Sequence, residues 1–112
     1  MLQYDVIEES SSDWCSRYLF VNQIGKPKRL VNDFRPLNQV TKKDVFPIPN
    51  IQELFDRLAN KKWLSKCDMA KGSYQLVLDA DSRAKTAFST HRGLYQYKRI
   101  PFGLANAPAA FQ

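Results

Sequence analysis

Polar and apolar positions along the chain first indicate two short strands near the N-terminus. Residues 17–22 (RYLFVN) and 29–34 (RLVNDF) hold aromatic and β-branched side chains between polar ends, which is typical of strands. The segment between them, QIGKPK, has the glycine and the proline of a hairpin connection. The pattern predicts a two-stranded ribbon whose tip carries Lys26, Lys28 and Arg29.

A helical pattern follows in NIQELFDRLAN, residues 50–60. Asn50 is a candidate N-cap, and Glu53 stands three residues later, as in a capping box. Four apolar residues recur at helical spacing and are expected to be core: Ile51, Leu54, Phe55 and Leu58. Residues 35–50 hold three of the six prolines and are expected to form an extended connector. Residues 2–9 predict a short amphipathic helix at best.

The second half of the chain alternates between strand-like runs and turns. Four short strands are predicted, at residues 63–69, 75–79, 86–90 and 94–99. Asn106 is a candidate cap for a last helix opened by Pro108. These elements predict an α+β fold. Because the chain stops in the first turn of the last helix, we expect it to be a piece of a longer protein.

Charge favours a polyanionic partner. The 112 residues carry a formal net charge of +6, and four of the eleven acidic residues precede the first basic one, Arg17. The rest of the chain therefore suits nucleic acid or an acidic membrane face. Cys15 and Cys67 lie far apart, which indicates neither a disulfide framework nor a thiolate zinc site. With no signal-peptide pattern and no apolar run near the length of a membrane span, we expect an intracellular chain, cytoplasmic or nuclear, without a membrane partner.

One carboxylate, Asp68, stands at the end of the predicted strand 63–69. A lone carboxylate is costly to bury unless a cation, a backbone donor or a metal lies beside it. A surface pair with Lys66 or a cap on the next turn is the simpler interpretation. The following AKGSYQ turn could instead bring together backbone amides, a polyphosphate and a divalent cation such as Mg²⁺. One aspartate alone is a poor metal site, so such a centre needs further carboxylates.

Five segments, in unbroken order, carry a resemblance to a known family: VIEESSSDW, RLVNDFRPLNQVTKKDVFPIPNIQELFDRL, LSKCDMAKGSYQ, KTAFSTHRGLYQY and IPFGLANAPAAFQ. Together they resemble the fingers and the first part of the palm of a reverse transcriptase of the gypsy-like LTR retrotransposon type. The resemblance implies a partial right-hand polymerase fold, with a fingers hairpin and the start of an antiparallel palm sheet packed on helices. It assigns residues 1–62 to a fingers-like part and 63–112 to the N-terminal palm, truncated before a Tyr-x-Asp-Asp hairpin.

The resemblance also implies a metal and a phosphate contact. Asp68 matches the first catalytic aspartate, a ligand of both Mg²⁺ ions in a two-metal site that is incomplete in this chain. The other two acids belong to the Tyr-x-Asp-Asp hairpin. Arg29 matches the fingers arginine that contacts the phosphate of the incoming nucleotide, a task that suits the forked guanidinium. A solvated charge on the hairpin is the alternative for Arg29.

Further positions match nucleotide contacts of the family. Backbone amides that face the phosphates match those of Met69, Ala70, Lys71 and Gly72. Phe102 and Gly103 match the segment under the nucleotide and the template; glycine suits a close backbone approach, and Phe102 could simply pack. Asp33, Arg35 and Asn38 match the D-F-R-x-L-N stretch of the fingers, and we interpret the first two as a structural network.

Two positions depart from the family pattern. The fifth residue after the catalytic aspartate is usually a Phe or Tyr that blocks a ribose 2′-hydroxyl, but here it is Ser73, followed by Tyr74. We hypothesise that Tyr74 takes over this task or that ribonucleotides are excluded poorly. Asn22 stands where a fingers lysine is expected. Lys26 or Lys28 could compensate, and both are expected to contact nucleic acid.

The leading hypothesis is a fragment of an RNA-directed DNA polymerase that adds dNTPs to a primer 3′-hydroxyl by two-metal phosphoryl transfer and is inactive on its own. Its partners would be an RNA or DNA template, a DNA primer, dNTPs, and the missing C-terminal polymerase half or adjoining polyprotein domains. The alternatives are a degenerate, non-catalytic basic remnant that binds nucleic acid, and a small basic α+β domain that binds proteins. Both would tolerate Asp68→Asn.

Overall fold

Two antiparallel β-sheets and four short α-helices form in the described residues of this computed structural model, which are 1–45, 47 and 49–111. The strands are β1 (Ile7–Glu9), β2 (Arg17–Gln23), β3 (Lys26–Asp33), β4 (Phe88–Thr90) and β5 (Gly93–Tyr97). The α-helices are α1 (Arg35–Val40), α2 (Ile51–Leu58), α3 (Ala80–Arg83) and α4 (Ala107–Phe111). None of the helices in this described part combines the length and apolarity that crossing a membrane would require.

The β2–β3 hairpin confirms the predicted ribbon. Its antiparallel register runs from Arg17 opposite Asp33 to Val21 opposite Arg29, and an irregularity before Gln23 precedes the turn. Gly25 occupies that turn with a φ of +69°, a backbone conformation that favours glycine. The exposed tip therefore presents its basic residues to solvent.

The second sheet has the strand order β1-β5-β4. β4 and β5 correspond to the strands predicted at residues 86–90 and 94–99, and they form a hairpin with Thr90 opposite Gly93. β1 pairs with β5 from Ile7 opposite Tyr97 onward. The amphipathic helix predicted over residues 2–9 is therefore wrong for Ile7–Glu9, because a strand far along the chain supplies their hydrogen-bond partners. Of residues 2–9, only Leu2–Tyr4 form a short 3₁₀ helix.

A small aromatic core joins the hairpin to this sheet. Phe34, Phe88 and Tyr97 are each no more than 2% exposed, and the rings of Phe88 and Tyr97 lie 5.3 Å apart. The Tyr97 hydroxyl donates a hydrogen bond of 2.8 Å to Oδ1 of Asn32 in β3. The Tyr97 backbone N–H donates to the Thr86 hydroxyl at 3.0 Å. Burial raises the pKa of Tyr97 far above its usual value, so this hydroxyl stays protonated as a donor.

Residues 35–50 differ from the predicted extended connector, because α1 occupies the first six of them. Pro36 lies in the first turn of α1, where proline has no intrahelical hydrogen bond to lose and its fixed φ suits the helix. The extended connector predicted over residues 35–50 is therefore wrong for Arg35–Val40. Phe46 and Ile48, also in the predicted connector, lie outside the described residues.

Helix α2 begins as predicted. The side chain of Asn50 accepts a hydrogen bond of 2.9 Å from the Gln52 backbone N–H. The prediction that its apolar face is core is wrong in this structure, because none of the described elements covers that face. The four residues are between 44% and 67% exposed: Ile51, Leu54, Phe55 and Leu58.

Residues 63–79 do not form the two predicted strands. Residues 63–69 are all exposed and join no β-ladder, and residues 75–79 contribute only an isolated bridge between Val77 and Arg99. A strand needs a neighbour to pair its backbone groups, and no strand of the described chain lies beside 63–69. The residues that follow 75–79 were predicted as a turn, but they form helix α3. At its start, the Asp79 carboxylate accepts a hydrogen bond of 3.2 Å from the Asp81 N–H.

The last helix lies where the sequence predicts it. Asn106 precedes α4, and its carbonyl accepts a hydrogen bond of 2.9 Å from the Ala110 N–H. The side chain of Asn106 binds the segment after α1: Nδ2 donates to the Lys42 carbonyl at 2.9 Å, and Oδ1 accepts from the Asp44 N–H at 3.1 Å. Asn106 therefore ties the start of α4 to the segment that follows α1.

Tyr97→Phe should lower the free energy of unfolding by about 1–3 kcal/mol, because it leaves the buried Oδ1 of Asn32 without its donor. Urea unfolding of the chain measures the change. Tyr95→Phe is the matched control, since no hydrogen bond of the Tyr95 hydroxyl occurs within the described residues, and it should change the value much less. Equal losses for the two variants would contradict the role given to the Tyr97 hydroxyl.

Candidate nucleotide and metal site

Asp68 lies in the exposed segment that leads into a tight turn. Lys71 adopts a left-handed conformation with a φ of 51°, and the Tyr74 N–H donates to the Lys71 carbonyl at 2.9 Å. The Gln75 side-chain amide donates to the Ala70 carbonyl at 3.0 Å and closes the turn. The sequence predicted Asp68 at the end of a buried strand, which is wrong, because the segment is exposed and lacks a pairing strand.

The backbone of this turn has free donors. The N–H groups of Met69, Ala70 and Lys71 make no hydrogen bond to another group of the described residues. Backbone N–H groups that follow one another through a left-handed turn can form a concave site for anions. The turn therefore offers unused donors beside the Asp68 carboxylate.

A cleft of about 670 Å³, here called the Asp68 cleft, runs between this turn and α4. It brings together three segments that are distant in sequence: the turn, the segment from Phe102 to Leu104, and one side of α4. Its lining includes Cys67, Asp68, Met69, Gly72, Ser73, Phe102, Gly103, Leu104, Ala107, Pro108 and Phe111.

A second cleft of about 700 Å³, here called the Arg29 cleft, lies between the hairpin and the other side of the turn. The hairpin contributes Lys28 and Arg29, and the turn contributes Ala70, Lys71 and Tyr74. Among the described residues Arg29 forms no ion pair. Its guanidinium is thus available to an anion.

Phe102 lines both clefts. The guanidinium carbon of Arg29 lies 4.7 Å from the centroid of the Phe102 ring, within the range of a cation–π contact. The Tyr74 ring meets Phe102 edge-on at 5.4 Å and stacks on Tyr97 at 6.3 Å. Burial raises the pKa of Tyr74, so its hydroxyl stays neutral. This row of rings connects Arg29 to the core.

Asn38 in α1 holds the segment that follows Phe102. Its Nδ2 donates to the Gly103 carbonyl at 2.7 Å, and its Oδ1 accepts from the Ala105 N–H at 2.8 Å. Gly103 has a φ of +97°, which a side chain would strain. The sequence indicated Asn38 only as a family match, whereas the structure gives it two contacts across the fold.

The structure brings most of the sequence-predicted residues to these two clefts. Ser73 lines the Asp68 cleft and Tyr74 lines the Arg29 cleft, so the two candidates for the sugar-facing position lie on different sides of Phe102. The Ser73 hydroxyl is buried without a hydrogen-bond partner among the described residues. Lys26, at the hairpin tip, lines neither cleft. Sequence reasoning missed Phe111 as a cleft residue.

Asp33, the last residue of β3, and Arg35, the first residue of α1, form an ion pair. Two contacts join the Arg35 guanidinium to the Asp33 carboxylate, at 2.6 and 2.8 Å, and the Arg35 backbone N–H adds a third at 3.1 Å. These hydrogen bonds lower the pKa of Asp33 from 3.8 to about 2. The Arg35 side chain is itself 86% exposed, so solvent screens the pair.

Comparison with known proteins defines the class. The sequence profile of the family described as "Reverse transcriptase (RNA-dependent DNA polymerase)" matches residues 23–112. The match covers most of the chain, and the chain therefore belongs to the reverse transcriptase family. This confirms the resemblance found in its motifs.

The relatives include gypsy-type elements. The retrovirus-related Pol polyprotein of transposon 297 from Drosophila melanogaster is 44% identical over 100% of this chain. The corresponding polyprotein of the gypsy transposon from the same organism is 38% identical over 92% of the chain, and the genome polyprotein of Petunia vein clearing virus is 40% identical over 98%. The chain spans only 11%, 10% and 5% of these proteins, respectively.

Solved structures confirm the predicted fold class. The foamy viral protease-reverse transcriptase in complex with double-stranded DNA superimposes with a TM-score of 0.86 and 24% identity, over 98% of this chain and 19% of that one. The native Prototype Foamy Virus protease-reverse transcriptase gives 0.85 and 23%, over 98% and 15%. At this identity the similarity concerns the fold, a part of a polymerase with mixed helices and antiparallel sheets.

Arg35→Gln should return the pKa of Asp33 towards its ordinary value, because the side-chain hydrogen bonds from Arg35 are the largest cause of its lowering. The native pair stabilises the fold above the unfolded-state pKa of 3.8, and this contribution is lost as the pH falls towards about 2. An NMR titration of the Asp33 carboxyl carbon measures the shift. Arg17→Gln is the control and should move the pKa less, since Arg17 acts only through its charge; a larger shift for Arg17→Gln would contradict this account.

Proposed function

We propose that this chain is the fingers-and-first-palm part of an RNA-directed DNA polymerase. The complete enzyme adds a dNTP to a primer 3′-hydroxyl by two-metal phosphoryl transfer. The observation that carries the proposal is the meeting of the Asp68 cleft and the Arg29 cleft at Phe102. The Asp68 cleft offers a carboxylate for the metal, and the Arg29 cleft offers a guanidinium for the phosphates of a nucleotide.

The Asp68 carboxylate fits one ligand of a magnesium site. It is exposed in a cleft, and Mg²⁺ is commonly held by one or two carboxylates, substrate phosphates and waters. Within residues 1–45, 47 and 49–111, no group of three His, Cys, Asp or Glu side chains could hold a metal by itself. The remaining ligands would come from the nucleotide and from carboxylates outside these residues. When bound, the metal would supply positive charge to the oxygens of the transferring phosphoryl group.

The chain's own residues would bind and orient the nucleotide. The Arg29 guanidinium forks onto phosphate oxygens, while the Phe102 ring holds it in place at 4.7 Å. The free N–H groups of the turn donate to the same phosphates. Gly103 lets the backbone approach the base pair, and Asn38 fixes that segment through Gly103.

Nucleic acid would be held mainly by charge. The chain has 17 Lys and Arg residues against 11 acidic ones, and Lys26 and Lys28 on the exposed hairpin would contact the backbone of the template or primer. Phosphate contacts of this kind weaken as salt rises. The foamy viral protease-reverse transcriptase, which shares this fold and was solved in complex with double-stranded DNA, supports a nucleic-acid duplex as the partner.

A second candidate function is a non-catalytic remnant that binds nucleic acid. It is favoured by two departures from the family pattern, Ser73 and Asn22. Such a remnant would keep the basic hairpin and the fold without using the carboxylate. The two candidates give opposite outcomes when Asp68 is changed.

Asp68→Asn should reduce primer extension about a hundredfold or more, because it removes a charged metal ligand while keeping the size of the side chain. The assay uses a chimera in which residues 1–112 replace the matching segment of an active reverse transcriptase. Incorporation of dNTPs is measured on RNA and DNA templates in Mg²⁺.

Asp81→Asn is the matched control, since Asp81 is also exposed but lies in α3 and lines neither cleft. It should extend primers as the parent chimera does. Equal activity of the Asp68→Asn chimera and its parent would overturn the proposal and favour the non-catalytic remnant.

Ser73→Phe should raise the preference for dNTPs over ribonucleotides about tenfold. A ring at this position, in the Asp68 cleft, would fill space next to the sugar. The ratio of kcat/KM values for the two nucleotides in the same chimera is the measurement, and Ser65→Phe, in the exposed segment outside the cleft, is the control. An unchanged ratio would mean that Ser73 does not face the sugar.

A further inference from the structure

Gly72 marks a close approach between α4 and the turn. A Cβ added to Gly72 would lie 2.8 Å from Cζ and 2.9 Å from Cε2 of Phe111, well inside the contact distance of carbon atoms, about 3.5–4.0 Å. Gly72 is not among the residues with positive φ, so its backbone conformation does not itself require glycine. A side chain at Gly72 would collide with the Phe111 ring in its present position.

Phe111 stands on a base that is fixed at two points. The Asn106 side chain holds the start of α4 to the segment after α1. Asn38 holds the residues before α4 through the Gly103 carbonyl and the Ala105 N–H. Both anchors lie in α1 or in the segment that follows it, and they fix the backbone from which the Phe111 ring, itself 44% exposed, reaches Gly72.

The turn beneath the ring carries the unused donors. Gly72 adjoins the segment from Met69 to Lys71, whose backbone N–H groups make no hydrogen bond within the described residues. Within the turn, the Gln75 side chain holds the Ala70 carbonyl and the Tyr74 N–H holds the Lys71 carbonyl. The N–H groups of residues 69–71 are held by no partner among the described residues, so a contact from outside the turn helps to set their direction. Phe111 meets the turn at Gly72 and also lines the Asp68 cleft.

We propose that Phe111 is a positioning residue that holds the turn 69–73 so that its free N–H groups meet the phosphates of the incoming nucleotide. The inference rests on the proposed function of the Asp68 cleft and adds a residue to it. Phe111 acts through Gly72 and takes no part in the chemical step. The turn, once unsupported, would bind the nucleotide less well but would still carry Asp68.

Phe111→Ala in the chimera should raise the KM for dNTPs about tenfold, since a small displacement of binding groups is costly. The kcat and the Kd for primer–template should stay within about twofold of the parent, because other residues determine them. Hydrogen exchange of the Tyr74 and Leu76 amides, which donate to the Lys71 and Ser73 carbonyls of the turn, should become faster when it is measured without nucleotide or metal. Phe111→Tyr keeps the ring, so its KM for dNTPs and its amide exchange should both equal those of the parent chimera.

Coupling between the two residues gives a second test. Gly72→Ala alone should raise the KM for dNTPs, because its methyl group pushes the ring away. Gly72→Ala combined with Phe111→Ala should be no worse than Phe111→Ala alone, since the space left by the ring accepts the methyl group. Such non-additivity is expected for residues in contact, whereas distant and independent sites give additive effects.

An unchanged KM and unchanged amide exchange in Phe111→Ala would overturn the inference, and so would strictly additive effects of the two substitutions. Should Phe111→Ala fail to fold, Phe111→Leu carries the same test, because it keeps an apolar side chain but lacks the ring atoms that meet Gly72. Asp68→Asn separates the two proposals. Full extension by Asp68→Asn refutes the proposed function, whereas its loss together with an unaffected Phe111→Ala refutes only the role of Phe111.

Discussion

The burial of Tyr97 is the constraint on which the rest of the structure depends. Its hydroxyl binds Asn32 in the hairpin, and its ring stacks on Tyr74, which meets Phe102 under the Arg29 guanidinium. A buried donor that satisfies a buried acceptor is expensive to break. The buried Tyr97 thus fixes the hairpin through Asn32, and it supports Arg29 through the stacked rings of Tyr74 and Phe102.

Local signals in the sequence predicted the elements whose hydrogen bonds join residues close together in the chain. The β2–β3 hairpin followed from the Gly25 turn, the start of α2 from the Asn50 cap, and the β4–β5 hairpin from the turn at His91. Each depends on residues only a few positions apart. The strand β1 could not be found in this way, because its hydrogen bonds go to β5 at the other end of the chain. The exposed segment 63–69 reads as a strand for the converse reason: its residues favour pairing, but the described chain supplies no neighbour.

In the candidate site, too, the residues in local motifs could be predicted from the sequence, whereas the contacts between distant residues could not. Asp68, Arg29 and the turn were indicated by motifs, which record residue types and spacing. The clamp between Asn38 and Gly103 joins residues 65 positions apart and leaves no periodic trace. The one sequence signal for Phe111 is the glycine at position 72. Only the structure shows that this glycine has an ordinary φ and that the ring of Phe111 lies against it.

The uncovered apolar face of α2 affects the colloidal behaviour of the 112-residue chain. Four large side chains on one helix, with Trp63 and Leu64 exposed nearby in sequence, favour self-association in water. The net charge of +6 opposes it by mutual repulsion, which salt screens. Sulfate or phosphate would weaken the repulsion and strengthen apolar contacts together. Concentrated stocks of this chain should therefore remain clear at low ionic strength and turn turbid as such salts are added.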